Sequence, residues 1–174
     1  MNDLSELTGD YVLDTARTRI GFVARHTMAT RVRGRFEEFE GGAHLNGDHP
    51  AKSSAHLTIR AKSIQTRNHQ RDGMLRDKFL NADDHPAFTF TSTEVEQVGE
   101  TAFQVTGDLV VRGVAEPVTV EVELTGVEAD GRIGFRGGVT INRMDWGVNW
   151  NAATTATIGK KVTVEFDVVM IRRS

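Results

Sequence analysis

The chain contains no cysteine, which excludes disulfides, thiolate nucleophiles and cysteine-held zinc or iron–sulfur centres. No apolar stretch approaches the roughly 18 residues that a membrane-spanning helix needs, so membrane insertion is not expected. Runs of Lys or Arg are absent too. With 21 basic and 24 acidic residues the formal charge is -3, and nucleic acid is not an expected partner. The opening stretch MNDLSELTGDYVLD carries acids but neither a basic n-region nor an apolar h-region, so no export signal is visible and a soluble, cytoplasmic protein is expected. No repeat, linker or low-complexity segment divides the chain. Its length suits one domain that buries about 70% of its unfolded surface. Residues 1–8 read as a flexible lead-in and 9–174 as that single domain.

Catalytic signatures are equally scarce. The densest group of possible metal ligands or acid–base residues is His69, Asp72, Asp77, Asp83, Asp84 and His85. It has neither H-E-x-x-H nor EF-hand spacing. A plainer reading places Asp72 in the first turn of a helix, favoured by the dipole, with Asp83 and Asp84 as solvated turn residues. No G-x-S-x-G elbow exists, and Ser92 sits inside an alternating strand where its hydroxyl satisfies a polar neighbour. The glycines of GRIGFRGG lie along a strand and open no helix, so they do not form a phosphate loop. No catalytic residue, metal or cofactor is expected. Two other readings stay open: an enzyme acting on a hydrophobic small molecule through His26, His69, Asp72 and His85, and a structural or stress-related barrel with a filled core.

What the sequence does have is alternation. Ile20, Phe22, Ala24 and His26 share one face, as do Ala55, Leu57, Ile59 and Ala61. The same holds for Phe88 with Phe90, for Phe103, Val105, Gly107, Leu109 and Val111, and for Val118, Val120, Val122 and Leu124. Ile133, Phe135, Val139 and Ile141 follow, then Val162, Val164, Phe166, Val168 and Met170. Phe36 and Phe39 have opposite parity, which requires a bulge or two covered faces. Gly113 and the pair Asp130-Gly131 mark turns. Residues 142–151 break the pattern with two tryptophans. Trp146 and Trp150 would cap a mouth or plug a core, and Arg143 with Asp145 would form a charged pair at a rim.

One segment is helical instead. In residues 68–92, Met74, Leu75 and Phe79 recur at helical spacing until Pro86 stops the pattern, and Phe88 and Phe90 resume a strand. About eight antiparallel strands, each with one apolar face, must close or stack to hide their edges. A barrel of that size either fills its interior or holds one small ligand, and periodicity alone does not separate it from a packed sandwich. The helical insertion would cover whatever the strands build.

The ordered set of motifs resembles the YceI-like family. It runs from Tyr11-Val-Leu-Asp14 through Ile20-Gly-Phe22 to His26, Gly34-Arg-Phe36, Arg71-Asp72 with Leu75, and Phe79-Leu80. It continues with His85-Pro86, Phe88-Thr-Phe90-Thr-Ser92, Gly107-Asp-Leu109, Arg112-Gly113 and Asn142-Arg143-Met-Asp145-Trp146-Gly147. The resemblance implies an all-β, lipocalin-like antiparallel barrel of about eight strands with a short helix over it. It implies an apolar channel binding a polyisoprenoid, isoprenoid-quinone or similar long-chain lipid, and a homodimer. Carried over by position, Phe22, Phe36, Phe88, Phe90 and Phe103 would line the channel, and Met74, Leu75 and Phe79 would close part of it. His26, Arg71, Asp72, Ser92, Arg143 and Asp145 fall on the family's polar positions, where they would hold the lid or meet a head group. Two departures stand: no leader is visible where many relatives are exported, and Trp146 occupies a position where Phe is commoner.

Overall fold

A computed structural model describes residues 4–26, 31–148 and 158–173, with only the backbone of Arg25, His26, Phe79 and Ile158. The expectations for Trp150, and for the side chains of His26 and Phe79, lie outside the described residues. The strands are β1 (Gly9–Leu13), β2 (Arg19–His26), β3 (Arg31–Phe36), β4 (Phe39–Leu45), β5 (Ser54–Arg60), β6 (Ile64–Gln65), β7 (Ala87–Gln97), β8 (Ala102–Val111), β9 (Val114–Val127), β10 (Ile133–Asn142) and β11 (Ile158–Arg172). Every pairing is antiparallel. The order β1-β4-β5-β7-β8-β9-β10-β11 returns on itself through β1–β11, giving a closed barrel of eight strands with no free edge around that ring.

Long bent strands make this closure possible. β11 carries β2 along its first part and β1 along its last, with Arg19 opposite Asp167 and Leu13 opposite Met170. β1 and β2 thus lie in line and act as one stave. β3 and β4 form the next, interrupted at Glu37 and Glu38, and that break resolves the parity of the two phenylalanines. Phe36 faces the lumen, while Phe39 packs against the main core cluster. Register shifts at Ser92/Glu94, Gly134/Phe135 and Ile158/Val162 supply the bending that closing a sheet requires. The β8–β9 hairpin turns through Arg112 (φ 52°) and Gly113 (φ 75°), the two left-handed residues that a tight primed turn demands.

The ends are closed differently. At one end a single helix α1 (His69–Met74) continues into a π-helical turn, Leu75–Phe79. Asn68 caps it by accepting from the Arg71 N–H at 3.0 Å. Leu80, Ala82 and Trp146 are buried beside it, with Met74, Leu75 and Val148 packed on them. At the opposite end Leu4–Leu7, within the stretch expected as a lead-in, forms a 3₁₀ turn. Leu7 is buried there with Tyr11, Leu124 and Ile133, and the Tyr11 hydroxyl donates to the Leu7 carbonyl at 2.9 Å.

Candidate functional site

Between the two plugs lies an internal cavity of about 400 Å³. Its walls are the inward faces read from the alternation: Val105 and Leu109 of β8, Val118, Val120 and Val122 of β9, Val139 and Ile141 of β10, and Val162, Val164 and Phe166 of β11. Phe22, Phe36, Phe88, Phe90 and Phe103 all line it, as do Leu75, Arg143 and Trp146. Phe135 and Phe166 complete the aromatic lining. The alternation had put both on inward faces, but the family motifs did not single them out. Leu4 and Leu7 reach the cavity from the opposite end, with no periodic signal to announce them.

Glycine decides how the rings lie. Phe22 stands opposite Gly34 and Phe166 opposite Gly137 across strand pairs, and Phe90 lies beside Gly107. A Cβ added at Gly137 would sit 2.7 Å from Phe166 Cζ, and one at Gly107 would sit 2.6 Å from Phe90 Cζ. The rings fold flat over the bare backbone of the neighbouring strand, which keeps them on the wall and the middle of the lumen open. Phe22 and Phe36 stack tilted at 5.6 Å, and Phe36 meets Phe88 edge-to-face at 5.4 Å.

The polar residues marked in the sequence separate into two groups. Arg143 lies on the cavity wall, 5% exposed, and desolvation lowers its guanidinium pKa below the ordinary value. Its Nε donates to the Gly159 carbonyl at 3.0 Å, and Nη1 donates to the carbonyl of Val148. Asp145 is exposed, whereas Arg143 is buried. The Trp146 indole, 3% exposed, donates from Nε1 to the Leu109 carbonyl at 2.8 Å.

Arg71, Asp72 and Ser92 are absent from the cavity lining. Asp72, 4% exposed, accepts from the Thr66 N–H at 2.9 Å and from the Thr66 hydroxyl. Arg71 donates from Nε to Thr66 Oγ1 at 2.9 Å and from Nη2 to the Thr66 carbonyl at 2.8 Å. Thr66, which no sequence signal marked, is therefore the peg to which both charged residues tie the helix. Ser92 accepts from the Ala55 N–H at 2.8 Å, where the β5–β7 ladder ends. Asp72→Ala should leave the buried Thr66 N–H and hydroxyl without their acceptor, costing about 1–3 kcal/mol. Urea unfolding checks this, and an unchanged midpoint would show that the Thr66 tie contributes nothing.

His69 is exposed, Asp83 pairs with Lys62 at 2.7 Å and Asp84 bonds to Asn81. Among the described residues no three His, Asp or Glu side chains converge as a metal site. All four buried polar side chains among them, Thr18, Thr66, Asp72 and Arg143, bond to the scaffold.

The YceI-like domain profile matches residues 11–170. The chain belongs to the YceI-like family. Curated relatives of this YceI-like chain include a UPF0312 protein of Photorhabdus laumondii, 36% identical over 141 residues, with 79% of this chain and 73% of the relative covered. A UPF0312 protein of Pseudomonas aeruginosa is 34% identical over 149 residues, covering 82% and 78%. Among solved structures, BcnA of Burkholderia cenocepacia superimposes with a TM-score of 0.83 at 25% identity, covering 90% of this chain and 98% of that one. A polyisoprenoid binding domain from Saccharophagus degradans gives a TM-score of 0.77 at 21% identity over 94% and 98%. That second likeness shows the shared YceI-like fold. No helix among the described residues is long and apolar enough to cross a membrane.

Proposed function

We propose that this protein binds one long-chain apolar lipid, of polyisoprenoid or isoprenoid-quinone type, inside the barrel for carriage or storage. The observation that carries the proposal is the cavity of about 400 Å³ running between the two plugs, walled by aliphatic and phenyl groups with Arg143 as the one charged side chain on it among the described residues. Its size falls in the usual range for small-molecule sites, roughly 300–1,000 Å³. A polyprenyl tail offers no polar handle, so a dry tube is what its recognition requires, with each buried CH₂-sized group contributing about 0.8 kcal/mol. The polyisoprenoid-binding character of the Saccharophagus degradans domain supports the same ligand class.

In this reading Phe22, Phe36, Phe88, Phe90 and Phe103 contact the chain, with Leu75 and Trp146 at the helix end. Met74 supports Leu75 from behind, and His26 and Phe79 keep the places that the family resemblance assigns them. Arg143 faces an anionic or carbonyl head group. Arg71 and Asp72 act through the Thr66 tie, and Ser92 and Asp145 serve the scaffold. We carry the homodimer and the cytoplasmic location into the proposal, to be checked by sedimentation velocity and by cell fractionation. The role is non-enzymatic.

Organic extraction of gently purified protein, followed by mass spectrometry, tests the reading. A co-purifying long-chain lipid, or stoichiometric uptake of an added isoprenoid, is the expected result; repeated absence of both refutes it. Leu75→Asp, which puts a carboxylate on the apolar wall, should lower retained lipid more than Arg71→Ala does. Equal losses in the two variants would show that the helix merely packs.

A further inference from the structure

The net charge of -3 hides a strong division of charge around the barrel. From Arg19 to Phe36, the span of β2 and β3, the sequence has arginines and no acid. From Ala87 to Val111 and from Val114 to Val127, the spans of β7, β8 and β9, it has acids and no Lys or Arg. Alternation turns these compositions into faces. Arg31, Arg33 and Arg35 are exposed at every second position of β3, and Arg19 is exposed on β2 beside it. Glu94 and Glu96 of β7, Asp108 of β8, and Glu121 and Glu123 of β9 are exposed likewise. In the ring of eight staves β8 and β9 stand directly across from β2 and β3.

Glu165 and Asp167 of β11 share an outer groove with Arg19, Arg33 and Arg35, so the basic face is neutralised only in part. Glu37 takes Arg35 at 3.2 Å and Asp167 takes Arg136 at 3.8 Å, but no ion pair among the described residues takes Arg19, Arg31 or Arg33. Arg31 opens β3 at the end of the barrel where β2 finishes and β11 begins, the end that Arg143 and Trp146 close. Arg31 and Arg33 stand toward that end, with Arg19 at the far end of the same stave; the first two are placed to meet an anionic surface, and the acidic face opposite would turn the molecule the same way.

We propose that the β2–β3 face is a docking surface for an anionic phospholipid bilayer, which brings the helix end of the lumen to the membrane that supplies or receives the lipid. The choice of a bilayer as partner rests on the lipid-carriage reading above; the face itself rests on charge and geometry. The contact is peripheral and involves no insertion.

The test is co-sedimentation of the full chain with vesicles of phosphatidylcholine alone and of phosphatidylcholine mixed with phosphatidylglycerol. The expected result is binding to the anionic vesicles only, weakened as salt shortens the screening length from about 10 Å at 0.1 M to about 3 Å at 1 M. Each arginine near such a surface is worth roughly fivefold in affinity, so Arg31→Glu with Arg33→Glu should lose at least about 25-fold. Lys52→Glu with Arg173→Glu, an equal change in net charge away from this face, should lose far less. Equal binding to neutral vesicles, or equal loss in both pairs, overturns the proposal. So does salt-sensitive self-association without vesicles that the Arg31/Arg33 pair abolishes, since the face would then serve a second copy. Lipid extracted from the same samples keeps the two ideas apart: anionic-vesicle binding by a protein with an empty lumen refutes carriage alone, and a filled lumen without vesicle binding refutes docking alone.

Discussion

Trp146→Ala should cost about 3–5 kcal/mol of stability, a large share of the roughly 5–15 kcal/mol that a domain possesses. The indole is 3% exposed, belongs to the core cluster with Leu80, Phe88 and Val111, and forms part of the cavity wall. It rides on a 3₁₀ turn, Arg143–Trp146, held by Asn142 Oδ1 accepting from the Met144 N–H at 3.0 Å and by Gly147 at φ 69°. Removing the ring therefore takes away apolar burial and the end of the lumen together. The void would open onto the cavity instead of collapsing, because the barrel wall is fixed by its ladders. Trp146→Phe keeps much of the volume but leaves the Leu109 carbonyl without its donor, for about 1–3 kcal/mol. Urea titration followed by far-ultraviolet circular dichroism reads both. An alanine variant with the wild-type midpoint would remove Trp146 from any closing role.

Gly34→Ala should drive the Phe22 ring off the wall and into the lumen. The added methyl would overlap the ring, while Thr66 Cγ2 at 3.0 Å blocks the other direction. Overpacking of this kind costs about 1–3 kcal/mol. The larger effect is on capacity, since a phenyl group crossing the channel obstructs a continuous chain, and lipid recovered per mole of protein should fall to a small fraction of wild type. Gly34→Ala combined with Phe22→Leu should restore much of it, because the smaller side chain clears the new methyl. Gly126→Ala, where a Cβ meets nothing within 4 Å, should change neither stability nor occupancy appreciably. A Gly34→Ala protein that retains full lipid would show that the ring can find another place on the wall.

Much of this lumen is legible along the chain because a strand reports its own faces. Val118, Val120, Val122 and Leu124 all line the cavity, as do Val162, Val164, Phe166, Val168 and Met170, in keeping with the period of two. The helical spacing of Met74, Leu75 and Phe79 marks the insertion, although it divides into α1 and a π-helical turn instead of running as one α-helix. The positions of Arg71 and Asp72 are also visible in the motif pattern, but Thr66 is not. A threonine at the end of a two-residue strand carries no periodicity, and its importance comes only from the two side chains that fold back onto it. The pairing of Gly34, Gly107 and Gly137 with phenyl rings is hidden for a related reason. Gly34 and Phe22, or Gly137 and Phe166, become neighbours only once the strand register is set.

By itself the sequence determined the class of object: antiparallel strands with one apolar side each, one short helix between them, no thiol chemistry and no catalytic motif. Those properties are local, set by side-chain type at successive positions. Whether the strands close or stack was decided by the tertiary structure, through the pairing of Tyr11 with Arg172 and Leu13 with Met170 at opposite ends of the chain. So was the presence of a void, which depends on rings lying flat over glycines across strand pairs, and the division of charge into opposed faces, which depends on where each strand falls around the ring. Alternation tells each residue which side of the sheet it occupies; only closure tells it what stands opposite.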